Sequence, residues 1–398
     1  MFETVESRGV DQILALMEAF RADPRAQKVD LVVGVYKDAD GSVPVMRAVK
    51  AAERALWEAE DSKTYVGMAG DAAYRAHTMR LLLGEGAPQI AQGRVASFQT
   101  VGGSGALKVG CDLLKSLKPD LKLWVSTPTW ANHVPVAEDA GLRVDYHPYF
   151  RASDRGLDFE AMMAHLEAHA VRGDGIILHA CCHNPTGVDL SFAQWEAVTT
   201  FIVDRGLFPI VDCAYQGLGK GMEEDVAGLR HLAAHVPEML IASSSSKTFA
   251  VYRERTGALT IMARTADDLG PVKAATETVI RTNYSMPPSH GARVVAGVLD
   301  DPALKSDWEA ELGAMRSRIA SVRGALRQML EERQVTDDLS FVTDQTGMFS
   351  YTGFSPEAVA RLRDDFGIYI AGDGRINVAG LSEDNLSIVA DGFAAVMR

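Results

Sequence analysis

The run Met239-Leu240-Ile241-Ala242-Ser243-Ser244-Ser245-Ser246-Lys247 decides how this chain is read. An apolar stretch leads into a row of small hydroxyl residues and then a lysine. Val251-Tyr252-Arg253-Glu254-Arg255-Thr256-Gly257 follows closely. The arrangement suits a lysine at a strand end beside an anion site. The hydroxyls and Arg255 could bind a phosphate while Lys247 forms an imine with an aldehyde on the same molecule. Pyridoxal 5'-phosphate carries both groups. Taken alone, the run also reads as a surface serine loop with a solvated lysine. Three further segments turn the balance.

Phe208-Pro209-Ile210-Val211-Asp212-Cys213-Ala214-Tyr215-Gln216-Gly217 reads as a buried strand ending at Asp212, then a polar turn with Tyr215. A carboxylate in an apolar setting needs a cationic partner. A protonated pyridine nitrogen would serve, and its charge is what makes such a ring an electron sink. His179-Ala180-Cys181-Cys182-His183-Asn184-Pro185-Thr186-Gly187 follows the apolar strand Gly175 to Leu178. Asn-Pro-Thr-Gly is a turn by composition, and Asn184 before a proline is expected to be extended, with its amide directed into a cleft. Two His and two Cys invite a zinc reading. It is set aside because adjacent Cys181 and Cys182 should point to opposite sides of a strand, with no second pair at ligand spacing. Thr100-Val101-Gly102-Gly103-Ser104-Gly105 enters a helix running through Leu117. Strand, glycine turn and helix start form a layout that cradles phosphate on free amides.

Together these segments resemble the fold-type I pyridoxal-phosphate enzymes, and within them the class I aminotransferases of the aspartate and aromatic amino acid subgroup. The likeness runs from Gly34-Val35-Tyr36-Lys37-Asp38 to Gly374-Arg375-Ile376-Asn377-Val378-Ala379-Gly380. It implies an α/β fold: a large domain with a mostly parallel seven-stranded sheet flanked by helices, plus a smaller α/β domain. Residues 1–10 would form an N-terminal arm over a partner subunit. Residues 11–38 would join the small domain, 39–305 would form the cofactor domain, and 306–398 would complete the small domain with a long bridging helix.

The resemblance also implies roles. Lys247 is similar to the Schiff-base lysine that shuttles the proton. Asp212 matches the partner of the pyridinium nitrogen, with His133 behind it. Tyr215 and Asn184 match the residues that bind the ring oxygen, and Trp130 the indole stacked on the ring. Gly103, Ser104, Ser244, Ser246 and Arg255 correspond to phosphate contacts, and Tyr65 to one made across a homodimer. Arg375, with the backbone at Gly34, would bind the substrate α-carboxylate. Trp130 and Asn184 would also line the substrate site. Arg281 would enter the neighbouring subunit and grip a side-chain carboxylate. Planar guanidinium groups suit such grips, because two parallel charge-assisted bonds form at once. Ser245, Thr248, Ala250 and Met286 depart from the aspartate-preferring pattern, which commonly has an aromatic residue, asparagine, glycine and asparagine there. Apolar Val43 and Met286 lean toward a pocket that also accepts aromatic side chains.

Composition agrees. At 398 residues, two domains are expected. The chain is 47% hydrophobic and 23% charged, an ordinary soluble balance. A net charge of −13 argues against nucleic-acid and anionic-membrane partners. No apolar run is long enough to span a bilayer, and the first residues begin no secretory signal. Cys111, Cys181, Cys182 and Cys213 read as buried reduced thiols, hence a cytoplasmic setting. Leu304, Trp308, Leu312, Met315, Ile319, Val322, Leu326 and Met329 recur every three or four residues, which predicts one helix over Pro302 to Leu330. The expected activity is transfer of an amino group from aromatic amino acids and aspartate to 2-oxoglutarate. A strict aspartate aminotransferase, a lyase or decarboxylase on the same cofactor, and a non-catalytic binder on the same fold remain open at this point.

Overall fold

In the computed structural model, Phe2 and residues 12–397 are described; the arm expected over residues 1–10 lies, but for Phe2, outside them. Among the described residues, seven strands form the main sheet. They are Val95–Val101 (β1), Lys122–Thr127 (β2), Arg143–Pro148 (β3), Gly175–His179 (β4), Phe208–Cys213 (β5), Met239–Ser244 (β6) and Thr256–Met262 (β7). Their order across the sheet is β1-β7-β6-β5-β4-β2-β3. All neighbouring pairs are parallel except those of β7, which runs antiparallel to β1 and β6. The fold is the α/β arrangement expected.

The central strands β4, β5 and β6 are buried along almost their whole length. That is why they read as unbroken runs of Ile, Leu, Val and Met rather than as alternation: helices cover both faces. Register then sets the chemistry. His179 lies opposite Asp212, Asp212 opposite Ala242, and Cys213 opposite Ser243. The polar residues that end each apolar run therefore meet along one edge, at the carboxyl ends of the parallel strands.

The long helix spans Pro302–Glu332, capped by the Asp301 carboxylate on the amides of Ala303 and Leu304. Its expected apolar stripe is buried at Trp308, Leu312, Met315, Ile319, Val322 and Leu326. Trp308 stacks on Phe249 (4.5 Å, 1° between planes), and its indole N–H donates to the Thr248 carbonyl at 2.8 Å. The helix thus holds the residue next to Lys247. Away from the main sheet, Val29–Asp30 pairs in parallel with Ile368–Tyr369, and Phe349–Tyr351 pairs antiparallel with Arg375–Asn377. Among the described residues, no helix is long and apolar enough to cross a membrane.

One expectation fails. Cys181 and Cys182 are not on a strand with opposed side chains. The chain leaves β4 at His179 and bends, and Cys182 takes φ +49°. Both thiols then come together beside Asp225, whose carboxylate already accepts the amides of Gly217, Gly219 and Lys220. All four cysteines are buried and free.

Arg323, on the long helix, is a buried cation whose partners are carbonyls. It donates to Val342 (2.8 Å), Gly347 (3.0 Å) and Phe349. Burial depresses its pKa to about 10. Arg323→Met would fill the space but leave three carbonyls dry, at about 1–3 kcal/mol each. We expect its urea unfolding midpoint to fall by an amount equivalent to at least about 3 kcal/mol; a midpoint like that of the parent protein would show that the carbonyls find other donors.

Candidate active site

β1 ends at Val101, and the helix Gly102–Leu117 starts at once. Gly102 takes φ +67°, and a side chain there would run into the Arg255 guanidinium at 2.5 Å. Its amide donates to the Arg255 carbonyl at 2.8 Å. The glycine turn and Arg255 are thereby locked together. A cation sits beside the amide-rich start of a helix, a place suited to a phosphate. Ser244 closes the cradle from the end of β6, where its hydroxyl accepts the Ser246 amide at 3.2 Å.

Lys247 follows in the short helix Ser245–Thr248. Its Nζ lies over the Tyr215 ring, 5.0 Å from the centroid. Burial lowers its pKa to about 8, against the opposing pull of Asp212 and aided by the positive charges of Arg255 and Arg375. A substantial share of the amine is therefore neutral near pH 7–8, as a nucleophile requires.

Asp212 stands at the other end of the site and is only 7% exposed. Burial works to raise its pKa. The hydrogen bond and charge of His133, with the charges of His179 and Lys247, outweigh burial and hold it below the usual carboxylate value. His133 Nε2 is 3.0 Å from the Asp212 carboxylate, and its Nδ1 is 2.8 Å from the Thr129 hydroxyl. Asp212 and Thr129 thus hold the imidazole at both of its ring nitrogens. Asn184 Nδ2 donates to the Tyr215 hydroxyl at 3.2 Å.

These groups line one cavity. Its lining brings together Gly103, Ser104, Ser244, Ser246 and Arg255 with Lys247, Ala214, Asp212, Tyr215, Asn184 and Trp130. Anion cradle, amine and buried carboxylate are what a phosphorylated pyridine aldehyde needs. The donor set fits pyridoxal phosphate.

A second cleft runs from Trp130 and Asn184 to Arg375, with Gln12 and Ile13 on its rim. The Arg375 guanidinium donates to the Val32 carbonyl at 3.0 Å and lies over the Phe349 ring. Gly34 sits against that ring, where a side chain would meet Phe349 at 2.8 Å. Tyr65 and Arg281 are not brought to either space. Tyr65 is 90% exposed, and exposed Arg281 donates to the Ser285 hydroxyl at 2.6 Å. Val43 and Met286 line neither space.

Thr129, His179 and Phe349 were not singled out from the sequence. Thr129 stands four residues before His133, a legible clue. His179 is a buried imidazole 5.1 Å from His133 with an unpartnered Nε2, and only strand register places it there. The departures also find physical form. Ser245 bonds the hydroxyl of fully buried Tyr74 at 2.9 Å, and Thr248 donates to the Gln216 carbonyl. Ala250 takes φ +54°, a left-handed conformation that explains why glycine suits the position.

The profile of the family described as "Aminotransferase class I and II" matches residues 26–393. The aromatic-amino-acid aminotransferase of Paracoccus denitrificans is 45% identical over 390 residues, 98% of each chain. The aspartate aminotransferase of Escherichia coli K12 is 42% identical over 397 residues, the full length of both. Among solved structures, the aromatic-amino-acid aminotransferase from Burkholderia pseudomallei, covalently bound to pyridoxal phosphate, superposes with TM-score 0.98 at 46% identity over 100% of each chain. Fold, site and relatives agree on a pyridoxal-phosphate-dependent enzyme. The chain belongs to the class I and II aminotransferase family, and it is an aminotransferase whose cofactor is pyridoxal 5'-phosphate.

The amine of Lys247 generates a pH prediction. Only its neutral form attacks an aldehyde, so capture of pyridoxal phosphate by the cofactor-free protein should accelerate about tenfold between pH 6 and 7 and level off above about 8. Stopped-flow absorbance measures this directly. A flat profile from pH 6 to 9 would mean that burial has not set the amine's reactivity.

Proposed function

We propose that this aminotransferase moves the amino group of aromatic amino acids and of aspartate to 2-oxoglutarate, by ping-pong kinetics, in a homodimer with shared active sites. The observation that carries the reading is the single cavity lined together by Arg255, Lys247 and the buried Asp212. When bound, pyridoxal phosphate supplies an electron-poor ring that stabilises charge developing at the substrate α-carbon.

The chain's own residues do the rest. Gly103, Ser104, Ser244, Ser246 and Arg255 anchor the phosphate. Lys247 would hold the cofactor covalently, and its free Nζ would take the substrate α-proton and return it. Asp212, oriented by His133, keeps a negative charge facing the ring nitrogen. Asn184 and Tyr215 would hold the ring oxygen, and Trp130 would cover the ring. Arg375, assisted by the backbone at Gly34, grips the α-carboxylate.

Tyr65 and Arg281 serve the partner's site in this reading, which their exposure in a single chain supports. Val45, Trp57 (79%) and Tyr65 leave apolar surface exposed along one segment, as a subunit interface would. The division into an arm at 1–10, a small domain of 11–38 and 306–398, and a cofactor domain of 39–305 is supported by the pairing of Val29–Asp30 with Ile368–Tyr369. Four buried free thiols support a cytoplasmic setting. Relatives bearing both the aromatic and the aspartate names support dual scope.

Borohydride reduction of the holoenzyme followed by peptide mapping should place the cofactor on Lys247. Label on any other lysine would overturn the assignment.

Scope is tested separately. Arg281→Leu should lower kcat/KM for aspartate and 2-oxoglutarate by roughly 10- to 100-fold, the equivalent of about 1.5–3 kcal/mol for a lost charge-assisted bond. Phenylalanine, as amino donor, should be spared. Parent enzyme that turns over aspartate but neither phenylalanine nor tyrosine would instead be a strict aspartate aminotransferase.

A further inference from the structure

Phe349 has no role in the chemistry described above, yet it touches three parts of the site. It lies on the two-stranded ladder Phe349–Tyr351 with Arg375–Asn377, in which Phe349 faces Asn377 and Tyr351 faces Arg375. Side chains two apart on a strand share a face, so Phe349 and Arg375 are diagonal neighbours on one side of the ladder. The guanidinium carbon of Arg375 sits 4.5 Å from the Phe349 ring centroid. The same ring meets Tyr215 edge to face at 5.8 Å and 79°, and presses on the backbone at Gly34.

We infer that Phe349 is a positioning residue for Arg375: its ring face fixes the plane of the guanidinium and leaves the in-plane fork of N–H groups free for a substrate α-carboxylate. A guanidinium has two ways to be held. Bonds to its edge consume the donors a ligand needs. Contact with its face does not. Among the described residues, Arg375 spends one side-chain nitrogen, Nη2, on the Val32 carbonyl, and no other side-chain bond is made. The ring supplies the remaining restraint.

The platform is itself rigid. Phe349 is 2% exposed, and its carbonyl accepts from the buried Arg323 guanidinium. Arg323 also ties the carbonyls of Val342 and Gly347 in the preceding turn. A side chain at Gly34 would displace the ring, so the glycine there protects the platform as well as offering its backbone.

The inference rests on the reading that Arg375 binds the α-carboxylate, and the experiment separates the two. Phe349→Leu, Phe349→Met and Phe349→Tyr holoenzymes are compared with the parent and with Arg375→Leu. KM is measured for phenylalanine and for 2-oxoglutarate, and single-turnover reaction is followed with phenethylamine, which lacks the carboxylate. Leu or Met removes the π-face. KM for both carboxylate substrates should rise about tenfold, a typical cation–π contribution, with kcat changed less than about threefold. Phenethylamine reaction should be unchanged, and Phe349→Tyr should restore KM. If Arg375→Leu raises KM but neither Phe349→Leu nor Phe349→Met does, the platform is refuted. A matching loss with phenethylamine would mean general distortion and refute it equally. If Arg375→Leu leaves KM unaltered, the carboxylate reading fails and takes the platform with it.

Discussion

A buried negative charge governs this molecule. The Asp212 carboxylate lies at the end of a strand covered on both faces, where an unpaired charge would be costly. The surrounding fold answers that cost. The short helix His133–Asp139 presents an imidazole to one oxygen, and Thr129 holds that imidazole from behind. Strand register brings His179 alongside. The remaining field opens into the cavity, toward Lys247 and the place a ring cation would occupy. Lysine and carboxylate thus share one small space, in which burial lowers the basicity of the amine and His133 keeps the carboxylate charged. The sheet order, the glycine turn at Gly102 and the clamp of Trp308 on the Lys247 segment all hold that space in shape.

Much of this was legible in the sequence because the polar residues end apolar runs. A strand that must be buried on both faces announces itself by continuous hydrophobicity, and the first polar residue after it lies at the sheet edge where ligands bind. Asp212 follows that rule, Lys247, Asn184 and the Gly103–Ser104 turn lie in the segments just beyond such runs, and all of them line one cavity. The amphipathic helix over Pro302–Glu332 was legible for the same reason, since one periodicity persists for many turns.

What escaped depends on contacts between distant segments. Phe349 and Arg375 meet through a three-residue ladder too short to read from its pattern. Cys181 and Cys182 were misread because β4 stops at His179 and the backbone then turns through a left-handed residue, which composition does not reveal. Arg323 reads as one more charge on a helix; only the fold turns it into the donor for three carbonyls. Tyr65 and Arg281 are placed by likeness alone, and in one chain they do not line the cavity.

The lowered basicity of Lys247 has a consequence for selectivity. A partly neutral amine next to an anion cradle recognises two features only, an electrophilic carbon and a phosphate at a set span. Triose and other sugar phosphates offer both. Discrimination against them cannot come from the lysine or the cradle, because these would treat each molecule alike. It falls to the rest of the lining, where the Asp212 carboxylate and the Trp130 indole suit a flat, basic ring better than an open-chain sugar.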